Sequence, residues 1–502
     1  MGSHGLSKSV PPVVSRSIDA VRSVATGQLD PSARSRLGQF MTPTAIADFM
    51  ASLFAQWPAK VCLLDPGAGV GSLTEAFAEQ FVRQAPPNAT LEAHGYEVDP
   101  VLLRYFQDHM GDIKERLRDR GQHFRGVTHD RDFIHEASFL SGMGAPRFTH
   151  AILNPPYKKI TNASEYRRLL RAIGLETGNL YSAFLGLTIA LMAEGGEIVA
   201  IVPRSFCNGT YFRPFRRFLL ERTAITHLHV FESRSSAFKD DEVLQENIII
   251  RLVRGAKPQS VAVSFSQDAH FTDLESREVP FAEIVHPGDP HQFIRIPDGH
   301  DDKLRALLPC TLADLGLTVS TGPVVDFRVR AHAQPTPDGD YAPLLYAHHF
   351  PGGHLSWPVA HKKPNALALH PETRKWLMPR GFYTLTKRFS AKEERRRLVA
   401  FVIDPNEMPQ PLYGFENHLN VFHHSKAGLP EDLARGLAVF LNSSGADQAF
   451  REFSGHTQVN AGDLRALRYP DHATLIRYGQ WAKRAGPATQ EAIDACVERC
   501  RE

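Results

Sequence analysis

The segment that decides the fold is Val61-Cys62-Leu63-Leu64-Asp65-Pro66-Gly67-Ala68-Gly69-Val70-Gly71. Its first four residues are apolar and predict a buried strand, and its glycines predict a tight turn that opens a helix. The helix is amphipathic, because apolar side chains recur at helical spacing at positions 73, 76, 77 and 81. A glycine-rich turn at the N-terminus of a helix lets a ligand approach the backbone closely. The spacing Gly-x-Gly-x-Gly, without a following Gly-Lys-Ser or Gly-Lys-Thr, excludes a P-loop, and a nicotinamide cofactor is the weaker alternative.

Six further short apolar segments follow, and most of them alternate with amphipathic stretches. The seven predicted strands cover 61–64, 94–98, 123–127, 149–153, 197–202, 226–231 and 246–253. Strands that alternate with helices predict a doubly wound α/β sheet. The connection between the last two strands is too short for a long helix, which predicts an antiparallel edge in a mixed sheet.

The pattern changes after about Gly255, where proline, histidine and glycine become frequent and strands become short. A chain of 502 residues is too long for one ordinary domain. We predict an N-terminal arm, a first domain, a linker and a second domain that ends in a helical tail. Their respective ranges are 1–33, 34–255, 256–304 and 305–502.

The composition is that of a globular protein, with 42% hydrophobic and 22% charged residues. No run of about 18 apolar residues predicts a transmembrane helix. The five cysteines are scattered and form no CxxC pair. We therefore expect a cytoplasmic protein with reduced thiols, without disulfides and without a metal site.

The net charge of +2 conceals an uneven distribution along the chain. Residues 357–397 contain eleven Lys or Arg against three Asp or Glu, a local net charge of +8. The rest of the chain sums to −6, since the total is +2. One basic segment on a mildly acidic protein predicts a surface that faces a polyanion.

The predicted fourth strand leads directly into Asn154-Pro155-Pro156-Tyr157. Two prolines fix the backbone and remove two N–H donors, so the turn presents carbonyl oxygens in a rigid arrangement. The asparagine adds an amide oxygen, which is a further acceptor, and the tyrosine adds a flat face. This set suits a planar base whose amino group is held by acceptors. The alternative is a proline-rich turn that only ends a strand.

Acidic side chains stand at the ends of the second and third predicted strands. Glu97 follows the second strand, where a carboxylate can accept from both hydroxyls of a ribose. Asp132 and Phe133 follow the third strand and would suit the amino group and ring of an adenine. Taken singly, Glu97 is equally compatible with a surface acid, and Asp132 with an acidic turn beside a core aromatic.

The order of these segments resembles a known family. Gln39-Phe40-Met41-Thr42-Pro43 precedes the glycine turn, Asn154-Pro155-Pro156-Tyr157 follows it, and a large C-terminal region comes last. Over about 34–255 this order is similar to the gamma class of amino-methylating DNA methyltransferases of type II restriction–modification systems. The resemblance implies a class I S-adenosylmethionine-dependent methyltransferase fold, with a Rossmann-like seven-stranded mixed sheet, and a C-terminal α+β target-recognition domain. It also implies S-adenosylmethionine as methyl donor and double-stranded DNA as partner.

The resemblance further implies roles for individual residues. The cofactor would be held by Phe40, Thr42, Pro43, Asp65, Pro66, Gly67, Ala68, Gly69, Glu97, Val98, Asp132, Phe133 and Asn154. Thr42 would contact the methionine end, Glu97 the ribose, and Asp132 with Phe133 the adenine. The catalytic motif would be Asn154, Pro155, Pro156 and Tyr157, and an extruded base would pack against Tyr157 and Phe238. The pairing of Asn154 with Tyr157 follows the adenine-N6 pattern of the family, and cytosine N4 stays open.

Basic and polar side chains outside the motif are the predicted contacts to DNA. They are Lys158, Lys159, Lys362, Lys363, Lys387, Arg388, His456 and Gln458. Cationic groups would bind phosphates and make binding depend on salt. The run Arg395-Arg396-Arg397 is predicted with equal weight as an exposed helix face or as a DNA contact.

Three other functions stay open. A protein-glutamine methyltransferase would share the Asn-Pro-Pro-Tyr chemistry but would not need a basic, aromatic-rich C-terminal half. An RNA adenine-N6 methyltransferase is separated from a DNA enzyme only by experiment, and a non-catalytic DNA-binding subunit conflicts with the intact motif. The amino-acid sequence of residues 149–254 is most similar to the group of these methyltransferases that modifies CTGCAG. We expect a monomer, bacterial or archaeal and nucleoid-associated, with a separate restriction endonuclease or with none.

Overall fold

The computed structural model describes residues 18–28, 41–144, 148–231, 247–297, 308–390, 394–453 and 458–499. The chain forms two compact units. The first contains the residues up to Phe206 together with Tyr211–Gln292, and the second contains Cys207–Thr210 and the residues from Phe293 onward. Among the described residues, no helix is both long and apolar enough to span a membrane.

A nine-stranded sheet organises the described part of the first unit. Its strands are β1 (Lys60–Pro66), β2 (Thr90–Tyr96), β3 (His123–His129), β4 (Phe148–Leu153), β5 (Met192–Pro203), β6 (Thr223–Phe231), β7 (Asn247–Arg254), β8 (Ser260–Ser266) and β9 (Glu275–Pro280). The spatial order is β3-β2-β1-β4-β5-β7-β6-β8-β9. Neighbouring strands from β3 to β5 are parallel, whereas β7 is antiparallel to both β5 and β6.

Each of the seven predicted strands overlaps one of β1–β7, and the predicted doubly wound architecture is confirmed. The prediction of seven strands is corrected to nine, because β8 pairs with the free edge of β6 and β9 pairs with β8. Residues 256–292 of the predicted linker therefore belong to the first unit. Val261 and Val263 on β8 are fully buried, which explains why this segment folds against the sheet. The antiparallel strand β7 is also internal and does not form the predicted edge.

Helices cover the sheet of the first unit. They are α1 (Ile18–Gln28), α2 (Thr44–Ser52), α3 (Ser72–Gln84), α4 (Pro100–Asp119), α5 (Phe133–Gly142), α6 (Glu165–Ala172), α7 (Leu180–Leu191), α8 (Arg213–Arg222) and α9 (Phe281–Ile284). A core formed by α2, α3, α4 and one face of the strands buries large aromatic rings, including Phe77, Phe81 and Phe106. Helix α1 lies within the predicted N-terminal arm, yet Ala25 is buried against Val70.

The second unit mixes short strands and helices, as predicted. Its strands are β10 (Thr318–Thr321), β11 (Ala333–Gln334), β12 (Tyr341–Leu345), β13 (Ala366–Ala368), β14 (Leu377–Pro379), β15 (Tyr383–Lys387), β16 (Ala400–Ile403), β17 (Leu412–Phe415) and β18 (Leu419–His423). They form a four-stranded sheet, β10-β18-β15-β16, and a five-stranded sheet, β11-β13-β12-β17-β14. Its helices are α10 (Asp326–Val329), α11 (Pro371–Arg374), α12 (Glu431–Leu441), α13 (Ser444–Phe453), α14 (Ala461–Ala466), α15 (His472–Ala485) and α16 (Gln490–Arg499).

Two glycines allow the closest helix contact of the second unit to form. A Cβ atom on Gly436 of α12 would lie 1.8 Å from the Leu475 carbonyl oxygen of α15. A Cβ atom on Gly479 would lie equally close, at 1.8 Å, to the Asp432 carbonyl oxygen. The two backbones can therefore touch only because both positions lack a side chain.

Candidate active site

The glycine turn after β1 is held by the neighbouring strand. The backbone N–H groups of Gly67 and Ala68 donate to the Tyr96 carbonyl oxygen at 2.9 and 2.8 Å. Gly67, Gly69 and Gly71 all have positive φ, at 83°, 58° and 95°. Residues other than glycine rarely adopt this backbone conformation. The turn therefore needs its glycines for its backbone shape as well as for the close approach of a ligand.

Two buried carboxyl groups lie beside this turn. One oxygen of Asp65 accepts from the Thr74 hydroxyl at 2.7 Å, while its Oδ1 is buried and has no hydrogen-bond partner. Glu97 accepts from the backbone N–H of Gly69 at 3.1 Å and from that of Asp99 at 2.8 Å. Burial raises the pKa of Asp65 to about 7 and that of Glu97 to about 7. Both groups therefore favour a ligand that donates hydrogen bonds or carries positive charge.

Asp132 and Phe133 form the third side of the site. Asp132 is the N-cap of α5 and accepts from the backbone N–H of His135 at 3.0 Å. Its other oxygen accepts from the Tyr166 hydroxyl at 2.5 Å. Phe133 is buried and packs edge-on against Tyr96, with 5.1 Å between ring centroids. The sequence did not point to Tyr166, because it lies on the short helix α6, apart from every motif.

These groups surround one cavity of about 170 Å³. The predicted residues that line it are Thr42, Gly67, Ala68, Gly69, Glu97, Val98, Asp132, Phe133, Asn154 and Pro156. Lining residues that were not predicted as cofactor contacts are Met41, Val70, Ser72, Leu73, Tyr96, Leu102, Arg131, Ile134, Tyr166, Leu180 and Phe184. The predicted residues Pro43, Asp65, Pro66, Pro155 and Tyr157 are outside this lining. Phe40 and Phe238 lie outside the residues that the structure describes.

The side-chain amide of Asn154, at the end of β4, is hydrogen-bonded at both ends. Its nitrogen Nδ2 donates to the Thr42 hydroxyl at 3.1 Å, and its oxygen Oδ1 accepts from the Tyr157 hydroxyl at 3.0 Å. The Tyr157 hydroxyl also lies 3.4 Å from the Ile201 carbonyl oxygen, and its ring meets Tyr181 edge-on at 6.4 Å. Burial raises the pKa of Tyr157, so the phenol stays neutral. An amide oxygen has two lone pairs and can accept two hydrogen bonds.

The loop after this motif is tied to the start of α7. The backbone N–H of Leu180 donates to the Lys158 carbonyl oxygen at 2.7 Å, and that of Ile160 donates to the Gly178 carbonyl oxygen at 2.7 Å. The side chains of Lys158 and Lys159 are exposed. Both predicted cationic contacts therefore extend from an anchored loop.

The predicted DNA contacts of the second unit have partners within the chain. Lys363 pairs with Asp326, and Lys387 pairs with Glu394 at 3.2 Å. Arg388 donates to the Asn417 carbonyl oxygen at 3.0 Å and to the Gln458 side-chain oxygen at 3.3 Å. Lys362 is exposed, whereas His456 lies outside the described residues.

Neither prediction for Arg395-Arg396-Arg397 holds for its last two residues. Arg397 is fully buried, and its guanidinium lies 5.6 Å from the centroid of the Phe450 ring. Arg396 donates to the Gln490 side-chain oxygen at 2.6 Å and to the Leu441 carbonyl oxygen at 3.1 Å. These two arginines stabilise the packing of the C-terminal helices.

Among the residues that the structure describes, two groups of side chains have the spacing of metal ligands. They are Cys62, Glu92 and His94 in the first unit, and His332, His370 and Glu372 in the second. None of the six lines the cavity, so neither group is part of the candidate active site.

Comparisons with known proteins find sequence relatives that cover most of the chain. A family model described as Eco57I restriction-modification methylase matches residues 88–238. The chain is 47% identical over 461 residues to the type II methyltransferase M.BsuBI of Bacillus subtilis, covering 89% of this chain and 90% of the relative. It is 41% identical over 478 residues to the type II methyltransferase M.PstI of Providencia stuartii, covering 92% and 94% of the two chains.

A solved structure extends the likeness in fold. The type IIL restriction-modification enzyme MmeI, in complex with DNA, matches with a TM-score of 0.54 at 10% sequence identity. The match covers 95% of this chain and 76% of that chain. At this identity the likeness concerns the fold alone.

Proposed function

The chain belongs to the type II methyltransferases of restriction–modification systems, and we propose that it methylates the N6 amino group of adenine in duplex DNA. Its first unit has the class I S-adenosylmethionine-dependent methyltransferase fold, and S-adenosylmethionine is the methyl donor. DNA methylation follows from the family. Adenine as the methylated base is our proposal, and Asn154 is the observation that supports it most directly.

The side chains around the cavity fit S-adenosylmethionine. The carboxyl of Glu97, which lines the cavity, suits a ligand that is cationic and rich in donors. We assign Glu97 to the ribose hydroxyls and Asp132 with Phe133 to the adenine, with Thr42 and the glycine turn toward the methionine end. S-adenosylmethionine supplies a methyl group carried on a positively charged sulfur.

The protein's part in the reaction is to hold the amino group and direct its lone pair. In adenine this lone pair is delocalised into the ring, so the nitrogen is a poor nucleophile. Hydrogen bonds from the amino group to the Asn154 side-chain oxygen and the Pro155 carbonyl oxygen would direct the lone pair toward the methyl group. With S-adenosylmethionine bound, the nitrogen held in this way would accept the methyl group from the sulfonium, which would leave as a neutral thioether, and one amino proton would pass to solvent. Positioning and electrostatic stabilisation supply most of the rate.

The target atom cannot be reached inside a duplex, so the adenine must be extruded from the base stack. Extrusion costs a few kcal/mol, and stacking on an aromatic ring offsets about 1–3 kcal/mol of it. We assign this stacking to Tyr157, whose ring is fixed by the bond between its hydroxyl and Asn154. Phe238 is the second candidate for packing against the base.

We further propose CTGCAG as the recognition sequence. Residues 149–254 are similar to the group of enzymes that modifies CTGCAG, and the chain is 41% identical to M.PstI. We expect a monomer, either with a separate cognate endonuclease or without one. Sequencing the methylated bases in DNA from a host that expresses the protein tests the sequence and the base together. Methylated cytosine in place of methylated adenine would refute the adenine assignment.

Asn154→Ala is the direct test of the mechanism. Losing a preorganised group that acts on the reacting centre lowers the rate by about 100- to 1,000-fold. Tritiated S-adenosylmethionine, with duplex DNA, structured RNA or a glutamine-containing peptide as acceptor, measures both the rate and the substrate class. Lys114→Ala is a control for general damage, since Lys114 is exposed on α4 and does not line the cavity. Full activity of Asn154→Ala, or transfer to RNA or peptide but not to DNA, would overturn the proposal.

A further inference from the structure

Two exposed phenylalanines stand out in the second unit. Among its described residues, the large hydrophobic side chains that are exposed are Phe327, at 73%, and Phe389, at 41%. Phe327 lies on α10, and Phe389 follows β15. More than 60 residues separate them in the sequence, yet both lie beside the turn 416–418 between β17 and β18.

Backbone hydrogen bonds connect both segments to this turn. On one side, the backbone N–H of Asn417 donates to the Val324 carbonyl oxygen at 2.9 Å. On the other side, the backbone N–H of Arg388 donates to the His418 carbonyl oxygen at 2.9 Å. The Phe389 ring also lies 4.8 Å from the His418 ring, centroid to centroid. The segments that carry the two phenylalanines therefore flank the same turn, and we call this part of the surface the Phe327/Phe389 edge.

Both segments are anchored, so the exposure of the rings does not come from loose chain. Next to Phe327, Asp326 accepts from the Tyr346 hydroxyl at 2.8 Å and pairs with Lys363. A Cβ atom on Gly322 would lie 2.2 Å from a backbone carbonyl oxygen, so this loop packs directly on the turn. Next to Phe389, the backbone N–H of Val459 donates to the Arg388 carbonyl oxygen at 2.7 Å.

The charge of the edge suits a polyanion. The Arg328 guanidinium lies 5.5 Å from the centroid of the Phe327 ring, and Arg388 adjoins Phe389 in the chain. The nearby carboxylates already have partners within the chain: Asp326 with Lys363, Glu394 with Lys387, and the buried Glu416 with His418. The edge thus presents flat apolar rings next to cationic groups.

We propose that the Phe327/Phe389 edge contacts duplex DNA and that the two rings stack on bases that are unstacked when the target site is distorted. This inference rests on the proposed function. An exposed ring on an anchored segment removes apolar surface from water when it stacks on a base, which favours binding. Neighbouring guanidinium groups can bind the DNA phosphates. Proteins that distort DNA insert apolar side chains between base steps in this way.

The test compares Phe327→Ala and Phe389→Ala with Phe139→Ala, a matched control that removes a 69% exposed ring from α5 of the first unit. Fluorescence anisotropy measures the dissociation constant for a labelled DNA duplex that contains the sequence the protein methylates, over a range of salt concentrations. Loss of one stacking contact should weaken binding about 10-fold in each test variant. The slope of log affinity against log salt should stay unchanged, because no phosphate contact is lost. The control should bind like the wild type.

The outcomes separate this inference from the proposed function. Wild-type affinity in both test variants, with unchanged melting temperatures, would overturn the inference and leave DNA methylation intact. Weaker binding by Phe327→Ala together with wild-type affinity of Phe327→Trp would support stacking, since tryptophan keeps a flat ring. A wild-type protein that methylates RNA and not duplex DNA would instead refute the proposed function itself.

Discussion

The hydrogen bond between Thr42 and Asn154 gives the sharpest prediction about catalysis. Thr42 is 4% exposed, and its hydroxyl accepts from the Asn154 amide nitrogen at 3.1 Å. The bond turns the amide so that its oxygen is available as an acceptor for the target amino group. Thr42→Val keeps the shape of the side chain and removes the acceptor. The amide then loses a partner in a mostly buried site and can rotate away from its productive orientation.

The size of the effect follows from one neutral hydrogen bond. Leaving a buried amide donor without its partner costs about 1–2 kcal/mol, which corresponds to about a 5- to 30-fold lower rate of methyl transfer. The single-turnover rate at saturating S-adenosylmethionine measures the chemical step without product release. Thr42→Ser keeps the hydroxyl and should stay close to the wild-type rate.

Our assignment also places Thr42 toward the methionine end of the cofactor, and a Thr42 that acted only through that contact would have a different kinetic signature. In that case Thr42→Val would raise the KM for S-adenosylmethionine and leave the single-turnover rate at saturation unchanged. That result would refute positioning of Asn154 by Thr42. A lower saturated rate with little change in KM would support it.

Other single contacts can be tested in the same protein. Tyr166→Phe removes the hydroxyl that donates to Asp132 and should raise the Kd for S-adenosylmethionine about 3- to 10-fold without lowering the saturated rate; a lower saturated rate would contradict this role. Burial lowers the pKa of His229 to about 3, whereas a histidine in the unfolded chain has a pKa of about 6.5. Below about pH 6.5 the unfolded chain therefore gains a proton that the folded protein does not, and the free energy of unfolding falls by about 1.4 kcal/mol per pH unit. Between about pH 7.5 and about pH 5, the free energy of unfolding measured with urea should therefore fall more steeply in the wild type than in His229→Asn. An equal pH dependence of the two proteins would show that His229 does not cause the loss. Gly95→Ala would place a Cβ atom 2.1 Å from a phenylalanine ring of α4 and should destabilise the fold by about 1–3 kcal/mol. Gly111→Ala, in the interior of α4, has open space and should instead stabilise the fold by about 0.5–1 kcal/mol and raise the melting temperature.

The glycine turn and the Asn-Pro-Pro-Tyr motif were predictable from the sequence because their shape depends on residues that are adjacent in the chain. A run of apolar residues, a glycine at a positive φ and a pair of prolines each restrict the backbone locally. The sequence predicted the seven strands β1–β7 for the same reason. It missed β8 and β9 as part of the sheet, since they are recognised only by the pairing of β8 with β6 and of β9 with β8.

Contacts between distant residues needed the tertiary structure. Thr42 and Asn154 are 112 residues apart, and Tyr166 reaches Asp132 across 34 residues, so neither pair appears in any local pattern. Arg397 belongs to a run that could be exposed or bind DNA, and only packing shows that it is buried. The sequence by itself determined the chemistry at the end of β4, because that chemistry lies within four consecutive residues. The tertiary structure decided which other side chains surround and orient it, because burial and hydrogen bonding depend on the whole fold.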